Sequence, residues 1–515
     1  MLNNPARLLW GFLAVAGISA FASARPALVP AVRELRETGG VFLAGERRLT
    51  AADVKFAHDA SIAPEGYRLL IAKDGVKVAS SDQDGAFYAL KTLDQLVVRE
   101  KGRCSYPCVE INDWPEYRWR GVLLDEGRHF QGKESVKRLL DIMAAHKFNV
   151  FHWHLTEDQG WRIDVPGMPE LVKYGSVRPD SPAHGSSLKC DSKNFIYAST
   201  AMAGEQYGPY FYRDAGLREI VAYAAERHIT VVPEVDIPGH AMAILAAYPE
   251  LCCFPENIRK RMAAPDWGIF RDVLCIGNDE TVQKLERIFN YLCDVFPSKV
   301  IHIGGDECPR VNWKACPKCQ ARMKAAGLKD ENGLQAWITA RIVKVLEKRG
   351  RRAMGWDEIL AGDIPKTAIG QSWRTQPKNG AGTELVSGAV AAERGFDMVM
   401  SPHELTYYSY LQGIDNDPFQ RTGMKLTLEK AYSFDPATGV SPQARKHVLG
   451  GQCCLWGEYI WNRYDLEWRM WPRAGAMAEI LWLGDAKPGY ADFKERMAAH
   501  RLRLLRQGVN SAPLE

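Results

Sequence analysis

The chain has little net charge for its size: 66 Lys and Arg against 62 Asp and Glu leave +4 over 515 residues. No long basic run is present either, so the electrostatic footprint that nucleic acid requires is missing. Beyond residue 22 no stretch is apolar for long enough to span a bilayer, and the mature chain is expected to have no stable membrane span. No strand-like run leads into a phosphate-binding glycine fingerprint, which argues against an open doubly wound sheet. Internal repeats and low-complexity linkers are absent too. Of zinc-site spacing there is only half: Cys316-Pro-Lys-Cys319 occurs, but no second CxxC. The expectation is therefore no metal and no cofactor. Disulfides are expected instead, Cys104 with Cys108 as a local pair and a bridge involving Cys308, Cys316 or Cys319.

What is present divides along the chain. Arg7 precedes an apolar run from Leu8 to Ala22, and Ala22-Ser23-Ala24 supplies the small residues of a cleavage site. Residues 1–24 thus read as a signal peptide, and the product as exported, periplasmic or secreted. No cysteine occurs before Cys104 to carry a lipid. Residues 25–115 mix modest strands with a helix-like stretch at 85–100 and read as a small α+β accessory domain. Asn112-Asp113-Trp114-Pro115 has the turn chemistry of a boundary.

From 116 to 490 apolar strands alternate with amphipathic helices. Strands are predicted at 121–125, 149–155, 229–236, 300–306, 352–356, 367–373, 397–401 and 451–456. Helices are predicted at 134–146, 215–227, 279–296, 331–349 and 467–483. This is the pattern of a (β/α)8 TIM barrel, an α/β fold. Residues 491–515 are expected to add a C-terminal helix packed on the barrel.

The strand ends carry the chemistry. Val300-Ile301-His302-Ile303 is followed by Gly304-Gly305 and the adjacent acids Asp306 and Glu307. Other ends bear Arg128, His152-Trp153-His154, Glu157-Asp158, His240, Trp356, Trp373, Trp456 and Glu458. Singly, an Asp-Glu pair is often a helix cap and a Trp often core. Together at the catalytic rim of one barrel, indoles and charged groups suit a sugar ring, whose faces are apolar and whose hydroxyls need directional partners. Consecutive acids are poorly placed to flank a glycosidic bond from opposite sides. They better suit one proton donor and one carboxylate that positions part of the substrate.

Over residues 105–485 the sequence resembles the glycoside hydrolase family 20 β-N-acetylhexosaminidases. The resemblance rests on HWHLTEDQGWR at 152–162, PEVDIPGH at 233–240, HIGGDE at 302–307 and LWGE at 455–458. It implies an exo-acting retaining enzyme that takes terminal β-linked GlcNAc or GalNAc from glycans through an oxazoline. Glu307 would be the general acid and then base. Asp306 would orient the 2-acetamido group, and Tyr407, matched in preference to Tyr408, would steady its carbonyl oxygen. Trp356, Trp373 and Trp456 would wall the pocket, while Arg128 and Glu458 would bind outer hydroxyls. His240, with Glu157 or Asp158, would support Glu307. An ionised Asp306 beside it, together with partial burial, is expected to raise the pKa of Glu307.

Two positions depart from the family pattern. Ser409 stands where an Asp usually binds outer hydroxyls, which leaves C4 and C6 preference open and would admit a 6-modified sugar such as 6-sulfo-GlcNAc; a lacto-N-biosidase type, releasing a disaccharide, would need a longer pocket. Glu157 stands where Asp is common. Two other classes compete. A metal-dependent amidohydrolase would use His152, His154, Asp236, His240 and His302, but its HxH belongs on the first strand, not the second. A carbohydrate-binding protein on an inactive scaffold would be expected to have lost Asp306 or Glu307.

Overall fold

In a computed structural model, residues 26–179, 206–259, 261–374, 387–415, 417 and 424–514 are described. The expected signal peptide and Cys190 lie outside them.

The N-terminal domain is one sheet and one helix. Its strands are β1 (Glu34–Gly45), β2 (Val54–His58), β3 (Tyr67–Ala72), β4 (Gly75–Ser80), β5 (Val98–Glu100) and β6 (Arg103–Asp113), with α1 (Gln83–Leu96) after β4. Sheet order is β1-β6-β3-β4-β2, with β5 on β6. β3 alternates Tyr67, Leu69 and Ile71 inward, and α1 covers them with Tyr88, Ala89 and Leu93. The helix predicted at 85–100 ends at Leu96, and the remainder is strand.

Eight parallel strands then close a barrel: β7 (Trp119–Asp125), β8 (Val150–His154), β11 (Thr230–Glu234), β12 (Val300–His302), β13 (Arg352–Trp356), β14 (Ile369–Ser372), β15 (Asp397–Met400) and β16 (Val448–Leu455). A two-residue hairpin, β9 (Thr156–Glu157) and β10 (Gly160–Trp161), follows β8. All eight expected strands are present. β7, β8 and β16 are buried along their whole length, as strands covered on both faces must be. The helices are α2 (Lys133–Ala145), α3 (Glu170–Tyr174), α4 (Asp214–Ala225), α5 (Met242–Ala247), α6 (Asp279–Val295), α7 (Val311–Ala315), α8 (Pro317–Ala325) and α9 (Glu331–Lys348), with others after them. α6 shows why they form: Asn278 caps it, and Val282, Leu285, Ile288, Phe289 and Leu292 line its buried stripe.

The barrel interior is layered. Trp119, Val150, Val232, Met354, Ile369, Val399 and Leu449, with Val300 against them, make an apolar floor to which every strand contributes. Polar side chains lie above it, and the pocket above those.

Three expectations need correction. The strand expected to reach Asp306 stops at His302, because Gly304 and Gly305 leave the β region with φ of 66° and 107°. The helix expected over 467–483 is two helices, Arg463–Met470 and Arg473–Leu483. Pro472 lies between them and has no N–H to continue the first. Cys104 and Cys108 are free and four residues apart on one extended strand, about 13 Å along it. That exceeds the roughly 7 Å Cα separation a disulfide can bridge.

The final helix, Tyr490–Arg506, packs on more than the barrel. Arg496 pairs with Glu479 of the barrel helix Arg473–Leu483 and donates to the Leu28 carbonyl, while Arg503 donates to the Ala27 and Gln95 carbonyls. Asp113, read as a boundary turn, is buried between the domains. It accepts from Tyr67, from Lys147 at 2.9 Å and from the Trp482 indole at 2.8 Å.

Candidate active site

The turn after β12 decides where the two acids point. The Gly305 N–H donates to Asp236 Oδ1 at 2.9 Å. A Cβ on Gly304 would lie 1.7 Å from that same oxygen, so the position admits only glycine. Glu307 follows at φ 45°, a left-handed value uncommon for a side chain of this type. His240, after β11, has the same φ. Both side chains reach a pocket of about 290 Å³ lined by Arg128, His240, Asp306, Glu307, Trp373, Tyr407, Ser409, Tyr410, Trp456, Glu458 and Tyr459.

The acids differ in environment. The Glu307 side chain is 32% exposed and that of Asp306 13%. Burial, reinforced by the charges of Glu307 and Glu234 and opposed by His240, raises the Asp306 carboxyl to about 6. The expectation of an ionised Asp306 therefore holds above that pH. Its Oδ1 is buried without a protein partner, an acceptor suited to a ligand N–H.

His240 connects the acids to deeper charge. Its Nε2 lies 3.6 Å from Glu307 Oε2, and its Nδ1 hydrogen-bonds Asp158 Oδ2 at 3.0 Å. The other Asp158 oxygen accepts from the Met242 N–H, which fixes the carboxylate. Burial opposes charge on His240, but Glu157 and the bonds to Asp158, Glu157 and Glu307 outweigh it and hold the imidazolium well above the ordinary range. Glu157 is 3.2 Å from the same nitrogen and 2.7 Å from Arg128 Nη2. Of the two acids, Asp158 is thus the direct partner of His240, while Glu157 divides itself between His240 and Arg128. Arg128 also pairs with Asp125 at 3.0 Å and lies 5.2 Å from the centre of the Trp456 ring.

The walls differ from expectation at one residue. Trp373 and Trp456 line the pocket, but Trp356 is 1% exposed and does not. Its indole N–H donates to Glu234 Oε1 at 2.9 Å, and its ring lies 5.5 Å from that of Trp456, forming part of the bed beneath the wall. Tyr407 faces the pocket near-parallel to Trp373, whereas the Tyr408 hydroxyl donates to the Arg473 carbonyl inside the protein. Ser409 and Glu458 line the pocket too; burial raises the Glu458 carboxyl and Arg128 opposes it. Tyr410 and Tyr459 are lining residues that the sequence reading missed. Tyr459 directly follows the LWGE motif and was within reach, but Tyr410 sits in an irregular loop with no periodicity to reveal it.

His152, His154 and His302, three of the four histidines of the amidohydrolase alternative, surround Glu234 below the pocket, while the fourth, His240, lines it. His154 Nδ1 bonds Glu234 Oε2, His302 Nδ1 lies 2.8 Å from Oε1, and Gln452 bonds His152. All three histidines are fully buried and none lines the pocket, so a water activated there could not meet a substrate in it.

Comparison with known proteins agrees with this arrangement. The model of glycosyl hydrolase family 20, catalytic domain, matches residues 117–485, and that of glycosyl hydrolase family 20, domain 2, matches 18–114. A β-hexosaminidase of Porphyromonas gingivalis is 38% identical over 455 residues, 87% of this chain and 54% of the relative, so the chain spans about half the length of that protein. A β-hexosaminidase of Akkermansia muciniphila is 33% identical over 86% of this chain and 84% of its own. The structure of a family 20 exo-β-N-acetylglucosaminidase from Vibrio harveyi, in complex with N-acetylglucosamine, superposes with a TM-score of 0.81 at 27% identity. It covers 95% of this chain and 78% of the other.

Proposed function

Because this chain belongs to glycosyl hydrolase family 20 and is a hydrolase of the β-N-acetylhexosaminidase class, we propose that it removes one terminal β-linked GlcNAc or GalNAc at a time, with retention, the substrate's own acetamide being the nucleophile. Glu307 protonates the glycosidic oxygen as the acetamide oxygen attacks C1. The bond to the leaving alcohol breaks and an oxazoline forms. Asp306 accepts the acetamide N–H, and Tyr407 donates to the attacking oxygen. Glu307, now a carboxylate, takes a proton from the water that opens the ring. Trp373 and Trp456 hold the sugar faces, and Arg128, Glu458 and Ser409 meet its outer hydroxyls.

The observation that carries this reading is the unpartnered buried Oδ1 of Asp306 beside the more exposed Glu307 on one turn. A pocket of about 290 Å³, at the small end of the ~300–1,000 Å³ typical of ligand sites, supports exo action on one ring over release of a disaccharide. Export on the strength of residues 1–24 belongs to the same proposal.

The test is hydrolysis of aryl β-N-acetylglucosaminide, the N-acetylgalactosaminide and the plain β-glucoside. Only the acetamido sugars should be cleaved, and Glu307→Gln should lower kcat about 10²–10⁴-fold. Equal cleavage of the plain glucoside would remove the acetamide from the mechanism and Asp306 from its role.

A further inference from the structure

Four cysteines take no part in hydrolysis, yet the fold gathers them from three separate stretches. The Sγ atoms of Cys253, Cys275, Cys316 and Cys319 all lie within 4.8 Å of one another. Three separations are 3.6 Å (Cys275–Cys316), 3.7 Å (Cys275–Cys319) and 3.7 Å (Cys253–Cys319). We propose that these four thiolates hold a structural zinc ion. Sulfurs about 2.3 Å from a tetrahedral zinc stand about 3.8 Å apart, close to the separations found. A disulfide would need about 2.05 Å, and would join two of the cysteines while leaving the others unexplained. The bridge expected for Cys316 or Cys319 is thus replaced by a four-sulfur cluster. Cys308 stays outside it, buried and free.

The surroundings are those of a built site. Cys316 is the N-cap of α8 and Cys319 sits in its first turn, where the positive end of the helix favours thiolates. The Gly277 N–H hydrogen-bonds both Cys275 and Cys319. A Cβ on Gly277 would lie 2.1 Å from the Lys318 carbonyl carbon, so only glycine lets that backbone approach. Cys275, Cys316 and Cys319 are buried and Cys253 partly so. Four protein ligands leave no open coordination position, which makes the role structural.

The cluster also lies behind the chemistry. Cys253 and Cys275 belong to the loop that follows His240, and Cys316 and Cys319 to the segment that follows Glu307. Leu274, next to Cys275, donates to the Pro238 carbonyl at 3.1 Å and accepts from the Trp313 indole at 2.9 Å. One ion would fasten together the two barrel loops that present His240 and Glu307. In an oxidising compartment it would also keep these thiols from pairing.

The test uses the full chain purified without metal-affinity steps. Elemental analysis should find one zinc per chain, released when an organomercurial titrates the thiols. Cobalt exchanged into the site should show thiolate-to-metal charge-transfer absorption. Cys275→Ser and Cys316→Ser should each reduce bound zinc to below roughly a tenth of an equivalent, while Cys308→Ser keeps it. If the serine variants fail to fold, intact mass of the wild-type chain decides: a zinc adduct under native conditions and, after denaturation, no loss of hydrogens from these four cysteines. Absence of stoichiometric metal overturns the site, as do disulfides among the four. Iron in place of zinc overturns the assignment of the ion.

Discussion

Asp306 and Glu307 are neighbours in sequence but differ in surroundings, and the proposed reaction gives them different tasks. In the proposed reaction Asp306 must be ionised to accept the acetamide N–H, and its pKa is raised to about 6. It is therefore ionised above that pH and protonated below it, so kcat/KM, which reports the free enzyme, should fall on an acid limb near pH 6. Asp306→Asn should lower kcat/KM and remove that limb, as read from the pH profile of kcat/KM. The two acids of the hairpin should separate by kinetic parameter. Asp158→Asn takes the charge from one of the two carboxylates at His240 Nδ1 and should lower kcat about 10–100-fold, the value of a charged hydrogen bond. Glu157→Gln loosens Arg128 and should act mainly on KM. The motifs made the carboxylates legible because their residue types are rare at strand ends. Trp356 was misread because a Trp ending a strand has the same sequence signature whether it faces the pocket or, as here, donates to Glu234 within the barrel. Tyr407 and Tyr408 likewise differ only by which side of the chain they leave, and only the folded loop settles that.

At the scale of elements, the eight strands were legible as apolar runs between polar helices, since burial on both faces forces continuous hydrophobic sequence. Their ends were less so. The run from Val300 is apolar through Ile303, but the regular strand ends at His302, because the turn that aims Asp306 and Glu307 needs positive φ at two glycines. That turn should be intolerant of substitution. Gly304→Ala places a methyl on Asp236 Oδ1 and demands a strained φ of 66°, so it should cost more than about 1 kcal/mol and greatly reduce kcat. Thermal unfolding and steady-state kinetics on one preparation check both. Pro472 is visible in the sequence, but apolar spacing continues across it and masks the break.

For the whole molecule, the contact between domains was illegible, since its partners are far apart in the chain. Asp113 meets Lys147 across 34 residues and Trp482 across 369. Lys147 is buried, and burial lowers its pKa while Asp113 resists that shift. Asp113→Asn leaves an ammonium without its counter-charge and should destabilise the protein by about 3–5 kcal/mol in urea denaturation. kcat/KM of the remaining folded protein should be unchanged, because the pocket lies elsewhere in the barrel. The last helix bears on a different property, the order in which the molecule can assemble. Leu28 and Ala27 are held by Arg496 and Arg503, separations of 468 and 476 residues. During synthesis Ala27 and Leu28 wait for partners that emerge 476 and 468 residues later. Loop closure over such a span is entropically costly and slow. The accessory domain can form its own sheet early, but its seat on the barrel is completed only by the helix Tyr490–Arg506, so docking should be the slowest kinetic phase of refolding.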